Sequence, residues 1–583
     1  MSRRGVVIVA IISLAFAAVI ARLAYIMLLN HDLFLAKARG QHTKKETIPV
    51  KRGIIYDRQG RELAINLETE SVFCDPVEVR KTEDQGRPLK PQRPEEVAVH
   101  LSKALGTDAK AVLAKLNTDD KHFLWIERKV DQERAKRVHD MKLRGIGFIP
   151  ELKRYYPKGS LASHLIGFVN SENAGLEGIE RQYDKHLSTQ TESATRVKDA
   201  RGNTLSEGML KELKGNDIVL TIDEGLQHIV EKNLDAAMAK WRASSATVIM
   251  MDPYTGEILA LANRPTYNLN DSGSADMQRL RNRAITDVYE PGSTFKIVAG
   301  AAALEEGTAT PKSRYDCSAG TIEVGGRRIK DDHRHGVLTF EEVIQKSSNV
   351  GTIKIGLGLG KQRMYEYIRR FGFGEKTGID IAGEVSGLLR APEKWSGMSI
   401  GAISIGQEVG VTPLQIVRAY AAIANGGLLV KPHVVAAIRT PDGKLVYKAE
   451  PKAERILSEK NALKFREILK GVTEAGGTAK TAAVDGNKVA GKTGTAQIFD
   501  TRAKRYSKDR YIGSFVGFVP AGDPRIVMIV VMHEPKGAIY GGVVAGPVFK
   551  DISNEALSYL SVPRDDQRER GLLLVSTKEQ SGR

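Results

Sequence analysis

Uncharged, mostly apolar residues fill the chain from Gly5 to Ala21, and after Arg22 the apolar character resumes from Leu23 to Leu29. This stretch is long enough for one membrane-crossing helix. Arg3 and Arg4 ahead of it place the N-terminus on the cytoplasmic side, although Lys37, Arg39, Lys44 and Lys45 beyond it oppose that orientation. Ala15-Phe16-Ala17 has the small-x-small form of a cleavage site, so a removed signal peptide is the alternative. The apolar run continues past that point, which favours an uncleaved anchor. From the anchor to about Asn216, short apolar runs alternate with charged, turn-rich stretches such as Lys81 to Glu95, a pattern that predicts an α+β module.

A second region opens at Val219-Leu220-Thr221-Ile222-Asp223. Leu226, Ile229, Val230, Leu234 and Met238 then recur at helical spacing and predict a helix from Glu224 to about Trp241. Ala246-Thr247-Val248-Ile249-Met250-Met251 reads as a buried strand that turns at Asp252-Pro253-Tyr254-Thr255-Gly256 into Glu257-Ile258-Leu259-Ala260. Ser514-Phe515-Val516-Gly517-Phe518 and Ile526 to Val531 read as strands of the same sheet, and Tyr540-Gly541-Gly542 as a loop at its cleft. Beyond about Val562 the chain is polar and reads as a flexible tail.

With 583 residues, 42% of them hydrophobic, the chain can build two or more domains with sizeable cores. Its net charge of +17 comes from basic residues spread throughout, without an aromatic-rich basic motif, so nucleic acid is not the expected partner. An envelope polymer or anionic lipid fits that charge better. Cys74 and Cys317 fall in different predicted domains and are not expected to pair.

Three short motifs carry the chemistry: Ser293-Thr294-Phe295-Lys296, Ser347-Ser348-Asn349 and Lys492-Thr493-Gly494. A serine hydroxyl is a poor nucleophile until a base takes its proton. A helix starting near Pro291-Gly292 puts Ser293 and Lys296 one turn apart on one face. An ammonium cannot accept a proton, so Lys296 must have its pKa lowered, through burial and a second cation such as Lys492. The helix N-terminus favours negative charge near Ser293, whose backbone N–H could help hold an oxyanion. Ser347 and Asn349, one residue apart on irregular or extended backbone, point the same way into a cleft. Alone, Ser-x-x-Lys is more often a surface helix start and Ser-Ser-Asn a cap or turn; the trio in order is the specific signal.

Competing patterns occur. Gly486-Asn487-Lys488-Val489-Ala490-Gly491-Lys492-Thr493 satisfies the phosphate-binding P-loop spacing, but Lys480 to Asp485 is not a convincing apolar strand and Gly494 is a poor helix start. Asp331-Asp332-His333-Arg334-His335 could suggest a metal, yet Arg334 adds repulsive charge and no further His/Cys cluster stands nearby, so no metal is expected. Gly356-Leu357-Gly358-Leu359-Gly360 reads as a helix end rather than a phosphate cradle.

On the trio the chain resembles the penicillin-binding proteins, peptidoglycan D,D-transpeptidases. Arg52-Gly53-Ile54-Ile55-Tyr56-Asp57-Arg58-Gln59-Gly60 through Leu63-Ala64 resembles the opening motif of class B. So do Arg154-Tyr155-Tyr156-Pro157 with Gly159, His164-Leu165-Ile166-Gly167-Phe168, and Gly175-Leu176-Glu177-Gly178-Ile179-Glu180, read as turns that fasten the N-terminal module. Leu187-Ser188-Thr189-Gln190-Thr191 departs from the family, which usually has glycine there. Gly491-Lys492-Thr493-Gly494-Thr495 with Ser514-Phe515-Val516-Gly517-Phe518 resembles the division-specific, FtsI-like branch more than the elongation branch.

The resemblance implies an α+β and α/β architecture: anchor at 1–30, a pedestal or dimerisation-type module at 31–215, a transpeptidase domain at 216–561 with an antiparallel, β-lactamase-like sheet covered by helices, and a tail at 562–583. It gives Ser347 a proton-relay role towards the leaving amine and Asn349 a hydrogen bond to substrate and Lys296. It gives Lys492 a positive charge, the Thr493 and Thr495 hydroxyls the substrate's terminal carboxylate, and the Thr495 N–H a share of the oxyanion hole; Gly494, Gly541 and Gly542 line the cleft. The implied partners are peptidoglycan stem peptides, β-lactams, a membrane-bound glycan polymerase and division proteins, with no cofactor. The implied place is the bacterial cytoplasmic membrane, with the catalytic domain outside it at the septum. No Glu-Asp-x-x-Phe-x-x-His signature precedes residue 216, which argues against a fused glycosyltransferase. An elongation- or sporulation-specific enzyme, a carboxypeptidase or β-lactamase using water, and a non-enzymatic β-lactam sensor are the alternatives.

Overall fold

The computed structural model describes residues 3–25, 27, 43–44, 51–188, 196–197, 214–500, 505–565 and 567. Thr189-Gln190-Thr191, the basic residues Lys37, Arg39 and Lys45, and the tail from 568 onwards lie outside the described residues. The apolar N-terminal run forms one helix, Arg3–Ala24, whose Gly5–Ala24 stretch has a mean hydropathy of 2.7 and is exposed along its length. By length and composition it fits a single membrane anchor.

The chain divides into two compact units that interleave in sequence: residues 1–52, 68–152 and 188–215 make the smaller, and 53–67, 153–187 and 216–583 the larger. The smaller unit has its own core, in which Val72, Cys74, Val79, Val97, Leu101, Leu105, Leu116, Ile126 and Val138 are buried together. Its helices start where the sequence supplies caps. Pro94 opens Pro94–Leu105, which Gly106 closes in the left-handed conformation, and the Asp108 and Asp131 carboxylates accept first-turn N–H groups of Ala109–Leu116 and Gln132–Asp140.

In the larger unit a five-stranded sheet runs in the order Ile258–Arg264, Ser245–Met251, Ile526–His533, Arg505–Val519, Ala490–Asp500, antiparallel throughout. The first two strands are buried at every position, in keeping with their largely apolar sequence, and their buried polar pair is satisfied by Thr247 Oγ1 donating to Asn263 Oδ1 at 2.9 Å. Glu224–Trp241 and Gly546–Tyr559 pack on each other and on this sheet, as does Pro413–Ala424, which Thr412 starts with a capping box. The strand carrying Lys492 lies at the sheet's edge, where it packs against residues 292–295.

The glycine-rich stretches at 53–64, 154–168 and 175–180 belong to this larger unit. Ile55 pairs in parallel with Ile218, and buried Arg154 pairs with fully buried Glu180 at 2.7 Å while donating to Gly53 O at 2.8 Å. Such pairing tolerates loss of neither partner, because the remaining charge is left buried. Beyond Val562, Asp565 accepts from Lys488 N at 2.8 Å and its own N–H donates to Gly486 O at 2.9 Å, so the first residues of the predicted tail are tied to the larger unit.

Candidate active site

The helix carrying the first motif does not begin as a regular α-helix. Gly292–Phe295 form a 3₁₀ turn and the α-helix Lys296–Glu305 follows directly, so Ser293 sits on the tight turn and Lys296 at the first α position. Two neighbours hold this turn. Tyr420 OH donates to Thr294 O at 2.9 Å from the buried helix Pro413–Ala424, and Thr294 Oγ1 donates to Pro291 O at 2.8 Å. Gly406, at φ +77°, brings its backbone so close to Gly292 that an added Cβ would overlap the Gly292 carbonyl. Gly406→Ala is therefore expected to shift the Ser293 turn and slow penicillin acylation by about 10²-fold. A near-normal acylation rate for a folded Gly406→Ala protein would show that this loop does not set the turn.

The second motif straddles a corner. Ser347 adopts φ +60°, a left-handed conformation unusual for serine, and Ser348 caps the helix Asn349–Leu359 by accepting from Gly351 N at 3.0 Å. The corner delivers Ser347 and Asn349 to the first motif. Ser347 Oγ donates to Ser293 Oγ at 3.0 Å. Lys296 Nζ donates to Ser347 O at 2.6 Å, Asn349 Oδ1 at 2.8 Å and Ser347 Oγ at 3.2 Å. Lys296 thus connects to Ser293 through the Ser347 hydroxyl.

Lys492, Thr493, Gly494 and Thr495 lie in the interior of the edge strand Ala490–Asp500, which packs against the Ser293 turn. This excludes the P-loop geometry, which needs a helix after the Lys-Thr pair. Gly494 is required by close approach: a side chain there would strike Thr294 Cγ2 at 2.9 Å and Pro291 O at 3.1 Å. Thr493 Oγ1 shares a hydrogen bond of 3.1 Å with Thr478 Oγ1. Gly541 and Gly542 open a short helical turn, Gly541–Val544, rather than a free loop. Gly541 N donates to Thr495 Oγ1 at 3.1 Å, and a Cβ at Gly541 would overlap the carbonyls of Ser514 and Gly494.

Both lysines are completely buried. Burial pushes Lys296 down to about 7 against the opposing pull of Asp331 and then Asp332. Burial also lowers Lys492 well below its ordinary value, with the charge of Lys296 adding to the effect. The expected contribution of Lys492 to the lowering of Lys296 is not found: burial is the cause there, and the repulsion bears on Lys492. Lys492 Nζ has no hydrogen-bond partner among the described residues, which leaves a buried donor available to a ligand.

Two residues at the site carry no motif signal. Glu290, three residues before Ser293, accepts from Glu408 N at 2.8 Å and from Tyr506 OH at 3.1 Å, joining the Ser293 segment to the strand Arg505–Val519. Asp331 accepts from Ser348 Oγ at 2.8 Å, Val350 N at 3.0 Å and Asn349 N, so the acidic stretch considered for metal binding caps the helix of the second motif. No group of three or more His, Cys, Asp or Glu side chains able to hold a metal occurs among the described residues. Cys74 and Cys317 are both buried and unpaired as thiols.

Comparison with known proteins agrees along nearly the whole chain. A family model described as the penicillin-binding protein transpeptidase domain matches residues 246–554, and one described as the penicillin-binding protein dimerisation domain matches residues 47–220. Stage V sporulation protein D of Bacillus subtilis is 35% identical over 97% of this chain and 87% of its own length. The probable peptidoglycan D,D-transpeptidase PenA of Neisseria meningitidis is 34% identical, covering 94% and 92%. The peptidoglycan D,D-transpeptidase FtsI of Escherichia coli is 32% identical, covering 95% and 91%. The crystal structure of penicillin-binding protein 3 from Mycobacterium tuberculosis superposes with a TM-score of 0.67 at 28% identity, covering 88% of this chain and 97% of that one; the same protein has been solved with aztreonam and with ampicillin.

Proposed function

Because this chain belongs to the class B penicillin-binding proteins, peptidoglycan D,D-transpeptidases, we propose that it cross-links stem peptides through an acyl-enzyme on Ser293. The observation that carries this reading is the chain of hydrogen bonds from Ser293 Oγ through Ser347 Oγ to the buried Lys296 Nζ. With its pKa lowered to about 7, Lys296 is substantially neutral near neutrality. A neutral amine keeps two N–H groups for its shorter contacts, Ser347 O and Asn349 Oδ1, and turns its lone pair to the Ser347 hydroxyl.

Ser293 Oγ attacks the carbonyl carbon of the penultimate D-Ala, and its proton passes to Lys296 as the C–O bond forms. The tetrahedral oxyanion is met by the N–H groups of Ser293 and Thr495. Collapse breaks the peptide C–N bond, the leaving D-Ala amine takes a proton by way of Ser347, and an ester remains on Ser293. An amine of a neighbouring stem attacks this ester, forms the cross-link and returns the proton to Ser293. Thr493 and Thr495 hold the donor's terminal carboxylate, with Lys492, otherwise unpartnered, as its counter-charge. Gly494, Gly541 and Gly542 let the strand, the Ser293 turn and the turn Gly541–Val544 pack closely on one another where they line the substrate cleft. A β-lactam is attacked in the same way and leaves Ser293 acylated.

The domain reading that accompanies this function is the anchor at 1–30, the pedestal module at 31–215, the transpeptidase domain at 216–561 and the tail at 562–583, supported by the ranges of the two matching families. The single apolar helix supports a catalytic domain held at the outer face of the cytoplasmic membrane. The sequence resemblance to the division-specific branch supports a septal role, with glycan polymerisation left to a membrane-bound partner.

Purified alone with lipid-linked precursor, the protein is expected to make no glycan. Supplied with a partner polymerase it is expected to give penicillin-sensitive cross-links. Polymerisation by the isolated protein would contradict the division of labour. Slow acylation without any cross-linking would move the reading to a β-lactam sensor, and release of free acid in place of cross-links to a carboxypeptidase.

A further inference from the structure

We propose that Asp331 is a positioning residue for the acylation machinery, its carboxylate both building the Ser347–Asn349 corner and acting electrostatically on Lys296. The inference rests on the reading of Lys296 as the base. Asp331 comes from the segment after the hairpin of Thr321–Val324 and Arg327–Lys330, and its own N–H is fixed on Gly320 O at 3.0 Å. From there its carboxylate takes three donors of one corner: Oδ2 accepts from Ser348 Oγ at 2.8 Å, and Oδ1 from Val350 N at 3.0 Å and from Asn349 N.

Two of these donors are otherwise unsatisfied N–H groups of the first turn of Asn349–Leu359, which prefer an anion. The third is the cap residue itself. A few ångströms along the chain, Asn349 Nδ2 donates to Lys330 O at 2.9 Å, so one strand end and the aspartate after it grip both sides of the asparagine whose Oδ1 receives Lys296. The left-handed backbone of Ser347 is maintained between this grip and the preceding helix Phe340–Gln345, where Ser347 N donates to Ile344 O at 3.2 Å. Removing the carboxylate would leave the corner without its anchor.

The charge of the same group reaches the base. The charges acting on Lys296 are Asp331 and Asp332, which favour its protonated form, and Lys492, whose own proton affinity Lys296 lowers. Lys346, next to Ser347, is engaged by Glu342 at 3.3 Å, and Lys330 is exposed. Asp332 is exposed as well, so solvent screens it; Asp331 is half-buried. Asp331 thus raises the proton affinity of Lys296 above what burial alone would leave, which keeps a proton available for the leaving amine while leaving the base partly free.

The test is the pH dependence of acylation by a fluorescent penicillin for the unsubstituted protein, Asp331→Asn, Asp331→Ala and Asp332→Asn. Asparagine can still accept hydrogen bonds with its amide oxygen but carries no charge. Removal of an anion lowers the proton affinity of Lys296, so the acid limb of Asp331→Asn is expected to move to lower pH by about one unit. Asp331→Ala is expected to lose acylation at every pH by about 10²-fold, having lost the corner, and Asp332→Asn to shift the limb by less than Asp331→Asn. An acid limb present in the unsubstituted protein and unmoved in Asp331→Asn would overturn the inference and leave the base assignment standing. So would a uniform loss of rate in Asp331→Asn without a shift, since that is what a purely structural role gives. A flat profile in the unsubstituted protein would overturn the base assignment and this inference with it.

Discussion

Ser293→Ala is expected to abolish covalent labelling by a fluorescent penicillin, a loss of at least about 10⁴-fold in acylation rate, while thermal unfolding stays close to that of the unsubstituted protein. The expectation follows from position. Among the described hydroxyls, Ser293 is the one joined to buried Lys296 through Ser347 and set on a turn facing the edge strand of Lys492. The substitution removes one oxygen from a turn held by other groups: Tyr420 OH on Thr294 O, Thr294 Oγ1 on Pro291 O, and Gly406 against Gly292. Retained labelling, or labelling moved to Ser347, would reject the assignment. Because Ser347 is itself hydrogen-bonded to Lys296, it is the serine best placed to substitute, which makes it the informative alternative.

The second large effect is expected at Lys296. Lys296→Arg keeps a positive charge and donors for Ser347 O and Asn349 Oδ1, so a lysine serving only as a cation would be replaced with little loss. A lysine serving as base would not, because a guanidinium cannot give up its proton at working pH. Acylation is expected to fall by about 10³-fold, within the range that general-base catalysis contributes. The unsubstituted protein should in turn lose acylation as the pH falls below about 7, where Lys296 takes up a proton. Lys296→Met should be equally inactive yet hold or raise its melting temperature, since it removes a group whose charge is penalised by complete burial. Near-normal acylation by Lys296→Arg would show that another group is the base.

The parts of this site that can be read in the sequence are those in which chemistry restricts residue type at short spacing. Ser293 and Lys296 must share a turn, and Ser347 and Asn349 must share a corner, so both motifs survive as strings of three or four letters. The supports cannot be read in that way. Gly406 matters because its backbone lies on Gly292, and Asp331 because its carboxylate reaches a helix start from another segment. Neither relation leaves a local pattern, and Asp331-Asp332-His333-Arg334-His335 invited a metal argument only because acids and imidazoles are also ligand types. The same non-locality governs the architecture. Short, mostly apolar runs joined by the turn at Asp252 to Gly256 announce Ser245–Met251 and Ile258–Arg264 as buried strands, and local composition suffices for that. The assignment of residues 53–67 and 153–187 to the larger unit depends on Ile55 pairing with Ile218 and on Arg154 meeting Gly53 and Glu180, contacts that span up to more than a hundred residues.

The repulsion between the two buried lysines explains why Lys492 can be kept for the substrate. The sequence leads one to expect Lys492 to help lower Lys296. The structure distributes the roles unequally: Lys296 has three hydrogen bonds and two carboxylates that favour its protonated form, whereas Lys492 Nζ has none among the described residues. A carboxylate bound beside Lys492 would supply it with a counter-charge, which would tie recognition of the donor's terminus to the charge state next to the base.

The most direct test of the central claim is mass spectrometry of the acyl-enzyme formed from a stem-peptide thioester ending in the D-Ala-acyl group. The account predicts a single acyl adduct on the peptide containing Ser293, discharged as a cross-linked product when an amino acceptor is added and absent in Ser293→Ala. An adduct on any other residue, or cross-linked product formed at an undiminished rate by Ser293→Ala, would contradict it.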